Sequence, residues 1–217
     1  MAKVTAPLLS FGAGGQIGKA MVASKWRGIP YFRQYVIPAN PQTAAQSATR
    51  NVFATMRLMW KVAGPIARSA FDSFASGRPF LGLNAFIGQN IKTMRGEVDM
   101  DLFIGSPGAK GGLAMVAATA AAGAGSGEVD ATITEPTLPA GWAIVAAQAV
   151  AFPDQDPANA FVGPLVEGED VATPFVITLT GLGSAVACQC AMWIKYTKPN
   201  GDLAYSVGIT DQATSGV

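Results

Sequence analysis

The 217-residue chain contains no histidine, only two cysteines, and few charges, with Asp, Glu, Lys and Arg making up 13% of it. Without histidine, the commonest neutral-pH general acid or base is missing, and so is the usual orienting partner of a serine or cysteine nucleophile. An enzyme is therefore not expected. The same absence makes Cys188 and Cys190 a poor zinc site, because structural zinc takes four thiolate or imidazole ligands. At i, i+2 on a strand the two thiols would share one face about 7 Å apart. A local disulfide there would strain the backbone, and buried structural thiols are the expectation. An ordinary soluble domain is about a quarter charged, so the scarcity of charge implies surface covered by other subunits. A membrane anchor is not expected, since the uncharged Gly111–Gly127 is mostly Ala and Gly and shorter than the roughly 20 apolar residues of a span. The Met1–Leu9 segment has no basic stretch followed by a sustained apolar core, so a secretory signal is not expected either.

The charges that are present are sorted. Residues 1–98 carry twelve Lys and Arg against two Asp and Glu, a formal +10, whereas residues 99–217 carry three against twelve, a formal −9. Such asymmetry bears on association more than on fold.

The local patterns predict an α+β chain. Gln16–Ser24 and Ile29–Ile37 read as the strands of a β-hairpin turning at Lys25-Trp26-Arg27-Gly28, with few acidic side chains and no core of its own. An isolated hairpin is marginal in water, so it reads as an arm that pairs with another sheet. Pro38 and Pro41 end it, and Thr43-Ala44-Ala45-Gln46 fits a capping box that opens a helix through about Gly64. Within that helix Val52, Phe53, Met56, Met59, Trp60 and Ala63 form an apolar face opposite Arg50, Arg57 and Lys61. Pro65 opens a second helix reaching Gly77, and Asn84 caps a third that ends at Gly96, the three packing on the hairpin.

Val98–Ile104 reads as a connecting strand, and Gly105–Gly127 as a Gly/Ala-rich stretch holding a strand at Leu113–Thr119. Glu128–Thr134, Trp142–Phe152, Pro174–Leu182, Ala185–Tyr196 and Leu203–Ile209 are further strands, with an Asn200-Gly201 turn before the last. Short strands at this spacing predict an immunoglobulin-like β-sandwich. The expected domains are a basic hairpin-plus-helices docking module at 1–97, a connector at 98–127 and an acidic sandwich at 128–217.

Chemical motifs are weak. Gly12-Ala13-Gly14-Gly15-Gln16-Ile17-Gly18 imitates a dinucleotide fingerprint, but a Trp-Arg-Gly turn and a second strand follow where that motif needs a helix, and the next acidic residue is Asp72. Gly108-Ala109-Lys110-Gly111-Gly112 lacks the spacing of a phosphate loop. Asp154 and Asp156, with Glu167, Glu169 and Asp170, could bind calcium only if their loops converge, and solvated loops are the plainer reading. No cofactor and no metal are expected.

The partner surface expected from sequence comprises Lys19, Lys25, Trp26, Arg27, Tyr31 and Arg33 on the arm, and Arg50, Arg57 and Lys61 on the first helix. These cations could meet phosphates, with Tyr31, Phe32 and Tyr35 as a stacking platform for single strands, or an acidic protein surface, including the acidic half of another copy. Protein partners are favoured. A glycan-binding role would need Trp142 or Trp193 exposed, whereas both are expected in the sandwich core.

At Gly15-Gln16-Ile17-Gly18, Lys25-Trp26-Arg27-Gly28, Val36-Ile37-Pro38-Ala39-Asn40-Pro41-Gln42-Thr43-Ala44-Ala45-Gln46, Arg50, Phe53 and Trp60, the chain resembles a group of tailed-phage and prophage structural proteins. Asn84-Ala85-Phe86, Trp193 to Gly201 and Ala204-Tyr205-Ser206 resemble the same group, so the likeness touches most of the chain. It implies a virion component, assembled in the host cytoplasm, with a hairpin-plus-helices module and an immunoglobulin-like domain. The expected role is a capsid cement or decoration subunit, a homo-oligomer that meets the major capsid protein or other virion proteins. A head–tail connector or tail component is the alternative.

Overall fold

The computed structural model of the chain describes residues 14–37, 39–109, 112–115 and 117–217. The chain divides into two compact units, Met1–Gln42 and Thr43–Val217. The expected boundaries at 97/98, where the charge changes sign, and 127/128, where the Gly/Ala-rich stretch ends, both fall inside the second unit.

The first unit is an antiparallel sheet of β1 (Gly15–Ile17), β2 (Met21–Trp26) and β3 (Ile29–Gln34), in that order. A single strand was expected over Gln16–Ser24. Gly18, with a φ of +55°, instead turns β1 back onto β2, giving three strands where two were read. Between β2 and β3, Arg27 and Gly28 have φ of 48° and 85°. Two successive positive values make the primed two-residue turn that matches strand twist. The third strand ends at Gln34, short of the expected Ile37.

The second unit is mixed α and β, its described residues forming three helices and two antiparallel sheets. Its centre is the pair β6 (Ala143–Pro153) and β9 (Ala187–Thr197), eleven residues each and antiparallel along their length. Their sequences, AIVAAQAVAFP and ACQCAMWIKYT, are nearly continuously apolar rather than alternating. Strands read that way when both faces are covered, and both faces are. On one side Ala147, Ala149, Ala151, Cys188, Cys190, Met192 and Ile194 share a core with the sheet of β4 (Ala118–Ala122), β5 (Glu128–Ile133) and β8 (Phe175–Thr180). The small alanines leave room there for Phe175, Ile177 and Leu179. On the other side Val150, Phe152, Ala191 and Trp193 pack against Val52, Met56, Met59, Phe71, Phe86 and Met94 from the helices. The expected packing surface for the helices was the hairpin; their buried faces lie on the large sheet.

Helix α1 (Ala44–Val62) starts as its sequence predicts, the Thr43 hydroxyl accepting from the Gln46 amide at 3.4 Å. Helix α2 (Pro65–Ala75) has proline in its first turn but is capped from far away. Its free Ile66 and Ala67 amides donate to the carboxylate of Glu167 at 3.3 and 2.9 Å. Gly64 makes this approach feasible, because a Cβ there would lie 2.1 Å from Glu167 Oε1. Helix α3 (Gly82–Met94) begins two residues before the expected cap Asn84, with Gly82 set against the Asp72 carboxylate of α2.

In the second unit two strands were missed, one was wrongly expected, and the one expected over Leu113–Thr119 is β4, which begins only at Ala118. Strand β7 (Val166–Asp170) flanks β6, and its Glu167 and Glu169 point to the helix side, where Glu169 accepts from Gln148 Nε2 at 3.0 Å. Its Gly168 faces the other way, where a Cβ would lie 2.7 Å from Ile177 Cγ2. Beyond β9, the segment expected as one strand is β10 (Leu203–Tyr205) followed by β11 (Ile209–Thr214), each paired with β9. Val98–Ile104 forms turns rather than a strand. Its backbone groups are taken by side chains: Asp154 accepts from the Met100 amide, and Asn90 of α3 bonds both the amide and the carbonyl of Ile104.

Candidate functional site

On the first unit every expected partner residue is exposed, and strand register sorts them. Pairing of Trp26 with Ile29, Ser24 with Tyr31 and Val22 with Arg33 puts Trp26, Ile29, Tyr31 and Arg33 on one face. Lys25 lies on the other face with Phe32 and Met21, while Lys19 sits in the β1–β2 turn. At the β2–β3 turn the Arg27 guanidinium lies 5.1 Å from the centroid of the Trp26 ring, a cation–π contact that holds charge and apolar surface together. Trp26 is 64% exposed, Met21 44% and Ile29 45%, so the small sheet shows apolar surface on both faces.

On the second unit, Arg50, Arg57 and Lys61 are all exposed along α1. Arg57 and Lys61 do not stand on a plain polar face. They line an open groove with Phe53, Leu58 and Trp60 of their own helix and Leu83 of α3, which continues past Asn84 to Ile87 and Ile91. Phe53 was expected in the core but is 48% exposed, and Leu58 is 40% exposed. A sequence signal existed: apolar residues at 52, 53, 56, 58, 59, 60, 62 and 63 cover more of the helix than one buried stripe can use. Trp60 forms the floor of the groove, packed on Phe86 at 5.3 Å and Phe71 at 6.4 Å between ring centroids. Arg68 is not part of this basic surface, because its guanidinium donates to the Trp60 and Lys61 carbonyls and closes the end of α1.

The carboxylates do not converge. Glu167, Glu169 and Asp170 lie on a strand and not in the loop expected of them. Asp154 accepts from Met100 and Gln212, and Asp156 from the Ala158 amide two residues on. Asp170 accepts from the Ala172 and Val176 amides, and those bonds to its ionised form hold its carboxyl below the usual range. Among the described residues no three Asp, Glu, Cys or His side chains are placed to hold a metal ion. Much of the negative charge of the acidic half is thus spent inside the fold, on backbone amides.

Trp193 is fully buried, its indole N–H donating to Gln148 Oε1 at 3.0 Å, so a glycan has no access to it. Trp142, expected in the core as well, is half-buried and stacks on Tyr196 with ring centroids 5.1 Å apart. Of the glycine-rich stretches, Gly12 and Ala13 lie outside the described residues, as do Lys110 and Gly111. Past Gly18 comes β2, not the helix a dinucleotide site requires.

Cys188 and Cys190 are both free and both buried on the inner face of β9. Burial pushes the Cys190 thiol up to about 12, and raises Cys188 as well. Reaction needs thiolate, so the folded protein will react slowly with Ellman's reagent at pH 8 and release two equivalents in urea. Prompt titration of either thiol without denaturant would contradict this packing.

Among the described residues no helix is long and apolar enough to cross a membrane. No family model matches the chain, and no curated protein sequence matches it.

Proposed function

We propose that this chain is a non-enzymatic structural subunit of a tailed-phage particle, a cement or decoration protein that docks on the capsid shell. The observation that carries the reading is the basic, apolar groove of α1 and α3, in which Arg57 and Lys61 stand beside Phe53 and Leu58. Cations interleaved with unburied apolar side chains fit a protein partner better than bulk water. The missing histidine, the carboxylates occupied by backbone amides and the sequence resemblance to phage structural proteins support the same reading. We read the two facing sheets of the second unit as an immunoglobulin-like sandwich carrying the groove-bearing helices on one side.

The test is binding to purified shells that lack the protein. Arg50→Gln, Arg57→Gln and Lys61→Gln combined should weaken attachment by about tenfold or more at low salt and leave the circular dichroism unchanged. Wild-type protein that binds no shell at any salt would overturn the proposal. Attachment that survives the triple change but fails on Phe53→Ser would place the recognition in the apolar part of the groove.

A further inference from the structure

The arm sheet of the first unit has two unburied apolar faces, Trp26, Ile29 and Tyr31 on one and Ile17, Met21 and Phe32 on the other. Ala23 is the one buried residue of its three strands, on the Met21 and Phe32 face, and one covering surface can shield only one of the two faces. Exposed apolar side chains on a basic sheet fit a partner surface better than water. The arm also carries Lys19, Lys25, Arg27 and Arg33 with no acidic side chain, so its complement is acidic.

A surface of that kind exists on the second unit. The sheet β4–β5–β8 buries one face, through Val129, Ala131, Phe175, Ile177 and Leu179. Its other face is open, and strand register assembles it from Thr119 on β4, Asp130 and Thr132 on β5, and Val176 and Thr178 on β8. These are short, mostly β-branched side chains, so the face is flat enough for broad aromatic rings. Asp130 stands on the central strand, accepting from Thr178 Oγ1 at 2.6 Å, with Glu128 two residues before it on the same face. None of the three strands contains Lys or Arg. The large sheet offers nothing comparable, since both of its faces are covered within the unit.

We infer that the open face of β4–β5–β8 receives the Trp26–Tyr31–Arg33 face of the arm of a second copy of this chain, with Arg33 set against Asp130. Subunits are thereby linked arm to face. The contact is heterologous, so a series of copies closes into a ring or extends. The inference deepens the structural-subunit reading by naming the surface through which copies meet. It does not use the α1–α3 groove, so the two can fail separately.

The experiment uses the purified full-length chain, without shells, in sedimentation-velocity runs over a concentration series at low and high salt. Wild type should associate, more weakly at high salt. Arg33→Glu alone and Asp130→Lys alone should each weaken self-association by about tenfold or more, since like charges then face each other. An equimolar mixture of the two variants should associate again, because each reversed group then meets its opposite. If Asp130→Lys loses its native circular dichroism, Thr132→Lys on the same face takes its place. A monomeric wild type, a variant that associates as wild type does, or a mixture that stays apart would each overturn the inference. Loss of shell binding with arm–face association intact would strike the proposed docking role alone.

Discussion

Trp193→Ala is expected to lower the free energy of unfolding by about 3–5 kcal/mol, near the top of the range for core truncations. Trp193 is the largest fully buried side chain, and it stands on β9 where the helical layer meets the large sheet. The fit around it is close, because a Cβ on Gly105 would lie 2.8 Å from the ring. Removing the indole opens a cavity that neighbours fixed by a continuous sheet cannot refill. It also leaves Gln148 Oε1 without the indole donor, although Gln148 Nε2 keeps its bond to Glu169. Trp193→Phe shifts the balance between the two effects. It keeps part of the apolar volume while losing the donor, for an expected cost of about 1–3 kcal/mol. Urea unfolding followed by far-UV circular dichroism measures both, and a loss under about 1 kcal/mol for Trp193→Ala would mean that the helices are not seated on this residue.

Asn90→Ala is the second large effect, about 2–4 kcal/mol, and it arises from hydrogen bonds rather than volume. Asn90 is wholly buried; it accepts from the Ile104 amide at 2.8 Å and donates to the carbonyls of Phe86 and Ile104 at 3.1 and 3.2 Å. Ile104 therefore has in Asn90 the partner that a neighbouring strand would otherwise supply. Alanine leaves the amide and carbonyl of half-buried Ile104 without it. Asn90→Asp is nearly isosteric but should be no better, because it loses the donor and buries a charge. The distinguishing readout is amide hydrogen exchange at Ile104, which should lose its protection in Asn90→Ala but keep it in Asn90→Asp, whose carboxylate still accepts from that amide. Retained protection in Asn90→Ala would show that the turn segment is held by Met100 and Phe103 packing instead.

What could be read from sequence was what neighbours in sequence decide. The Thr43 cap, the break at Gly64-Pro65, the strands β5, β6, β8 and β9, and the Asn200-Gly201 turn all rest on residues within a few positions of each other. The misreadings share the opposite property. Glu167 looks like a loop carboxylate until α2, a hundred residues earlier, supplies amides for it to accept. Val98–Ile104 alternates like a strand, yet Asn90 and Asp154 take its backbone groups from two distant elements. The partner surface was half legible. The cations Arg57 and Lys61 stand out from composition alone, whereas Phe53, Leu58 and Leu83 beside them look like any core residues until α3 is placed next to α1. Charge itself misled about boundaries, since the basic residues divide between the two compact units.

The covering of β6 and β9 on both faces has a consequence for the order in which the molecule can be made. Helices α1 to α3 are made well before the sheet residues they pack on, Val150, Phe152, Ala191, Trp193 and Tyr205, the last of which follows Val52 of α1 by 153 residues. Until β9 is synthesised, β6 alone supplies a floor for the helical layer and an opposing face for the second sheet. The chain must then wait, with its basic, apolar segments exposed, until β9 is made, and the emergence of that strand becomes the event that commits all three layers at once.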